Sequence, residues 1–192
     1  MSAPRCWLAV AVAAALGGCA AAPGPAASRS AGSAAPVVAA SAASPVFVAL
    51  VGPRFQHAPP FLGTPDTNYF CLRSFVDRHS GEAVHQLYVA DSYAGAKRDW
   101  NAAHDPAGNA LRFVGISRNE IDCTDGCSYA EEFAADLPER ELRASPEGLT
   151  VTFTARSGAQ KTIFISGRQI AAQLAAADAE RRAPSSTAAR TP

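Results

Sequence analysis

The chain has 192 residues, with 17 basic and 17 acidic side chains and a formal net charge of zero. That balance excludes the basic field that a nucleic-acid partner or a polybasic membrane contact requires. With 48% hydrophobic residues and two compositionally biased ends, the natural reading is one domain of about 130 residues, large enough to bury a core.

The first segment is residues 1–18. Arg5 supplies a positive start, and residues 7–16 are ten consecutive apolar side chains followed by Gly17-Gly18-Cys19. A bilayer span needs about 20 apolar residues, so this stretch is predicted to be a signal peptide that is removed. Leu16-Gly17-Gly18-Cys19 resembles the lipobox of bacterial lipoproteins. The resemblance implies cleavage before Cys19, a diacylglyceryl thioether on its sulfur and an acylated amine. One fatty chain binds a membrane only marginally, whereas two or three hold stably. Residue 20 is Ala, not the Asp that implies inner-membrane retention in this class, so the expected location is the periplasmic side of the outer membrane. Loss of the leader removes Arg5 and leaves 16 basic against 17 acidic residues, still no field for a nucleic acid.

Residues 19–44 hold the lipid-bearing Cys19 and then a run of Ala, Pro, Ser, Gly and Val whose single charge is Arg29. With no apolar periodicity to bury, it is expected to be a disordered tether.

The folded part is expected over residues 45–180. A six-residue apolar run, 46–51, bounded by Pro45 and Gly52-Pro53, predicts a buried strand. Residues 54–68 carry Pro59, Pro60 and Pro65 and predict an irregular crossing, since proline cannot donate to a sheet ladder. Residues 69–77 and 84–91 predict a hairpin around Arg78-His79-Ser80-Gly81-Glu82. Both alternating sets of the first strand are apolar, so it is expected to be central and covered on both faces.

Residues 92–110 read as a loop with Gly95, Asn101, Asp105-Pro106 and Gly108-Asn109. Tyr93, Lys97, Arg98 and Trp100 form a candidate binding surface here, with rigid aromatic area and two cations for an anion. The competing reading folds Trp100 back onto the core, where Trp is usually buried. A strand at 111–117, a turn at 123–127 and a strand at 128–135 follow, then a short element from Leu137-Pro138 through Arg143. Residues 149–156 and 160–165 give the clearest hairpin, with Leu149, Val151 and Phe153 inward and Thr150, Thr152 and Thr154 outward. One helix closes the domain: Ser166 as N-cap, Gln169 completing a capping box, Ile165 and Ile170 in staple positions. Its buried stripe is Ile170, Leu174 and Ala177. Residues 181–192 are expected to be a disordered tail.

These elements predict a mainly β, antiparallel, sandwich-like domain of about seven strands with one C-terminal helix; a single curved sheet carrying the helix is the weaker alternative. The text of residues 69–76 and 152–158 resembles small uncharacterised lipoproteins of Gram-negative bacteria, a likeness that implies no activity.

No serine stands in a Gly-x-Ser-x-Gly setting. The histidines at 57, 79, 85 and 104 lack metal-ligand spacing, and Asp122, Asp125 and Glu131 do not follow a calcium-loop pattern. The expectation is no enzyme, no metal and no cofactor. Two functions stay open: a non-catalytic interaction or assembly module with an envelope protein partner, and a small-ligand or glycan binder using Tyr93 and Trp100. Export to an oxidising compartment predicts a Cys123–Cys127 disulfide with Cys71 left as a buried thiol, a bridge from Cys71 to either partner being the alternative.

Overall fold

The computed structural model describes residues 37–39, 47–124 and 126–183. The residues expected to be leader, lipobox with Cys19 and most of the tether, Asp125, and residues 184–192 of the expected tail lie outside the described residues, whereas residues 181 and 182 of that tail are helical, the last of the closing helix.

The strands are β1 Val38–Ala39, β2 Phe47–Val51, β3 Phe55–Gln56, β4 Tyr69–Asp77, β5 Ala83–Ala94 and β6 Trp100–His104, then β7 Ala110–Leu111, β8 Phe113–Asp122, β9 Ser128–Leu137, β10 Gly148–Ala155 and β11 Gln160–Ser166. The helices are a short α1, Glu139–Arg143, and α2, Gly167–Arg182. One sheet runs β1-β2-β4-β5-β9-β8, with β3 beside β2 on the same edge of β4; the other runs β11-β10-β6-β7. All pairings are antiparallel. The domain is therefore mainly β and sandwich-like.

Alternation builds the core. Phe70, Leu72, Leu87, Val89, Phe133 and Ala135 of the first sheet meet Ala103, Val151, Phe153 and Ile163 of the second. Phe133 sits at the centre, 4.9 Å from Phe153 and 5.3 Å from Trp100 between ring centroids, spacings that favour edge or tilted aromatic contact. The capping box forms as the spacing predicts: the Ser166 hydroxyl accepts from the Gln169 amide, and Gln169 Oε1 accepts from the Ser166 amide at 2.8 Å. Ile170, Leu174 and Ala177 are buried along α2, joined by Gln173.

Four other features differ from expectation. Residues 92–110 are not a loop throughout, because β5 runs to Ala94 and β6 begins at Trp100. Gly95, at φ 107°, serves the loop at 95–99, and Asp105-Pro106 with Gly108-Asn109 serve the tight bend at 105–109, where the Asp105 amide donates to the Asn109 carbonyl at 3.0 Å. The apolar run expected as one strand from residue 111 is divided at Arg112: Leu111 ends β7 in one sheet and Phe113 starts β8 in the other. β4 is central, but among the described residues no second layer covers its outer face; Tyr69, Cys71, Tyr88 and Ala90 are buried there beneath guanidinium groups, Arg54 lying 4.5 Å from the Tyr69 ring and Arg73 4.8 Å from that of Tyr88. Finally, Val38–Ala39, within the segment read as a tether, pair with β2, and Val37 packs on Val48, Leu50, Val76 and Ala177.

Candidate functional site

Three of the four candidate residues, Tyr93, Arg98 and Trp100, converge on two carboxylates, Asp91, which the sequence reading passed over, and Glu131, which it weighed only as a calcium ligand. Leu87, Val89, Asp91 and Tyr93 share the inner face of β5, and the register sets Asp91 directly opposite Glu131 of β9. Both are 2% exposed. Like charges opposed across a ladder repel, so each must be surrounded by donors.

Asp91 Oδ2 accepts from the Trp100 indole at 2.9 Å and from Arg98 at 2.8 Å, while Oδ1 pairs with Lys161 of β11 at 3.1 Å. Glu131 accepts from the Tyr93 hydroxyl, from the Asp99 amide at 3.0 Å and from the Trp100 amide at 3.2 Å, and pairs with Arg118 of β8 at 3.4 Å. Arg118 also pairs with Asp99 and donates to the Trp100 carbonyl at 2.6 Å. Trp100 thus links both carboxylates at the seam between the sheets, and is itself 1% exposed.

The four candidate surface residues therefore separate. Trp100 and Tyr93 are interior; burial first, then the bond to Glu131, raises the Tyr93 phenol above its usual range. Arg98 turns inward onto Asp91 and lies 3.9 Å from the Tyr93 ring. Lys97 stays exposed. It lines a cleft of about 260 Å³ with Arg118, Asn119, Glu120, Tyr129 and Glu131.

Beyond this seam the first sheet continues without the second. β8 from Ile116 and β9 back from Glu132 form a hairpin whose β9 arm is still paired with β5 as far as Ser128, and on its β8 edge Ile116 is 41% and Ile121 52% exposed. Its end is closed by the Cys123–Cys127 disulfide, and Cys71 is a free buried thiol, as expected. The Gly95 amide donates to the Cys127 carbonyl at 2.9 Å, tying the loop after β5 to that end.

A second buried network lies at the opposite end of the sheet. Gln173 Nε2 donates to Ser74 Oγ at 2.9 Å, Ser74 Oγ lies 2.8 Å from His85 Nδ1, and His85 Nε2 lies 3.2 Å from Glu139. One proton arrangement satisfies all three: Ser74 donates to Nδ1 and the ring donates from Nε2, which makes His85 neutral. Residue types and contacts resemble a Ser-His-acid trio, with Ser74 fully buried and His85 2% exposed. The trio ties β4 and β5 to both helices.

Burial lowers the proton affinity of His85, and the guanidiniums of Arg181 and then Arg143 hold the Glu139 carboxyl well below the usual carboxylate range. His57, whose Nε2 lies 2.9 Å from the Ala90 carbonyl and Nδ1 3.1 Å from Lys161, is lowered too, by burial and then by Lys161. All three groups bind fewer protons folded than unfolded. Stability from the histidines is complete above their unfolded value of about 6.5 and declines as pH falls toward the folded values; that from Glu139 is lost further into acid. The urea midpoint is expected to fall between about pH 7 and pH 5. A flat midpoint over that interval would mean that neither ring is held neutral.

The buried network was only partly legible. Asp91 and Glu131 each occupy an inward position, two residues from Val89 and Phe133 respectively, and a charge in phase with an apolar face is the available signal. Lys161 carries the same signal ahead of Ile163 and Ile165. Their mutual pairing has none. Comparison with known proteins finds no matching family model, no matching curated protein and no matching solved structure.

Proposed function

We propose that the chain is a lipid-anchored envelope protein, on the periplasmic side of the outer membrane, whose domain is a non-catalytic interaction module engaging a protein partner. The observation that carries this reading is the β8–β9 hairpin, with its two exposed isoleucines and its disulfide-closed end. Single exposed apolar residues are ordinary, but two on one edge strand supply contact area and open backbone groups together. The burial of Trp100 weighs against the ligand or glycan reading, since no indole face is available for stacking. What favours a small polar ligand is the cleft beside Lys97.

A photo-crosslinking amino acid at position 121, in intact envelopes, tests the module. A discrete protein adduct absent from the same probe at position 162 is expected. Equal labelling at both positions would sink the hairpin as the contact surface. The anchor has its own test: Cys19→Ala is expected to abolish lipid labelling and leave an unprocessed, mislocalised precursor. Processed Cys19→Ala protein still fractionating with the outer membrane would refute it.

A further inference from the structure

We propose that the turn around Leu62 is a membrane-contact element, entering the apolar boundary of the bilayer that carries the lipid anchor; this rests on the lipid-anchored reading above. Leu62 is 86% exposed. Its φ is 50°, in the left-handed region that a non-glycine residue rarely adopts, and such conformations cluster at ligand clamps.

The turn is built, not slack. The Phe61 amide donates to the Thr67 hydroxyl, that hydroxyl donates to the Thr64 carbonyl, and Asn68 Nδ2 donates to the Pro59 carbonyl, each at 2.8 Å. The Thr64 amide closes on the Phe61 carbonyl at 2.9 Å and the Gly63 amide on that of Pro60 at 3.3 Å. Residues 58–65 contain no charge, and Pro59, Pro60 and Pro65 have no amide hydrogen. Unsatisfied backbone donors are what keeps most loops out of an apolar phase; here the donors of Phe61, Gly63 and Thr64 are used, and only those of Ala58 and Leu62 in this stretch have no partner among the described residues. Phe55, 40% exposed and stacked 5.8 Å from Phe70, adds apolar area on the same crossing.

Position names the occupant. Because β1 runs antiparallel to β2 with Val38 opposite Val51, the chain coming from Cys19 joins the fold beside Gly52, where the crossing that bears Leu62 begins. About 18 residues separate Cys19 from Val37, a span of at most roughly 60 Å when extended. The anchor strand and the Leu62 crossing thus share one corner of the sheet. The β8–β9 hairpin lies along the other edge of the sheet, carrying Glu120 and Asp122, and closes at the same end as this crossing.

The test uses the full protein purified from membranes and reconstituted through its own anchor into phosphatidylethanolamine–phosphatidylglycerol vesicles. Leu62→Cys or Ser80→Cys carries a fluorophore, Ser80 lying in the exposed turn at the opposite end of the sheet. Spin-labelled lipids are expected to quench the probe at position 62 several-fold more strongly than at position 80. Vesicle-bound protein with equal, weak quenching at both positions would overturn the contact while leaving the anchor standing. Failure to float with vesicles would remove the anchor, and the proposal with it. A probe at 62 that lipids leave unquenched, but that native envelopes shield from a water-soluble quencher, would assign Leu62 to a protein groove instead.

Discussion

Glu131→Ala is expected to lower the stability of the domain by about 3–5 kcal/mol, the range for removing one partner of a buried ion pair. The substitution strands the Tyr93 hydroxyl, the amides of Asp99 and Trp100 and one contact of Arg118. Each buried donor left without an acceptor costs about 1–3 kcal/mol, and water entering the vacated space recovers part of this. Net stabilities of domains are about 5–15 kcal/mol, so much of the total is at stake. Urea unfolding supplies the value. Trp100 is the only tryptophan among the described residues, Trp7 being the other in the chain, so the emission should also shift to the red as the seam opens. Glu131→Gln keeps an acceptor but aims an amide group at donors, and should fall between the two. A loss below about 1 kcal/mol for Glu131→Ala would mean that Asp91 alone organises the seam.

Leu174→Asp should be comparably severe, at about 4 kcal/mol or more. Leu174 is 8% exposed and belongs to the main core with Ile170, Leu149 and Ile165. Truncating such a leucine costs about 2–5 kcal/mol, and the carboxylate must then be desolvated or pull α2 from the sheets. Ala171→Asp, on the exposed side of the same helix, is the control and should change stability by about 0.5 kcal/mol or less. Equal effects at both positions would show that helix propensity, not the buried stripe, sets the cost. An unchanged melting temperature for Leu174→Asp would place the stripe in solvent.

What the amino-acid sequence determined by itself is what local spacing encodes. The 2-residue period of Leu149, Val151 and Phe153 marks β10, and the Ser166/Gln169 pair marks the start of α2 to the residue, because a cap is satisfied within one turn. The disulfide is a mixed case: Cys123 and Cys127 are four residues apart, with Gly126 at φ 110° letting the chain fold back between them, but spacing also left a bridge from Cys71 open, and the fold decides by burying Cys71 as a free thiol in β4.

Tertiary structure decided the rest. Trp100 lies among turn-forming residues, and only the proximity of β10, paired with it through Ala155, makes that stretch a strand and sends the indole inward. Residues 111 and 113 belong to different sheets, a division that alternation along a single strand does not express. Above all, Asp91 and Glu131 stand 40 positions apart in sequence and face each other only because β5 and β9 align in that register. Their cations come from three other elements, Arg98 after β5, Arg118 on β8 and Lys161 on β11. A buried carboxylate persists only where donors surround it, and those donors are assembled by folding, so no local pattern carries their identity.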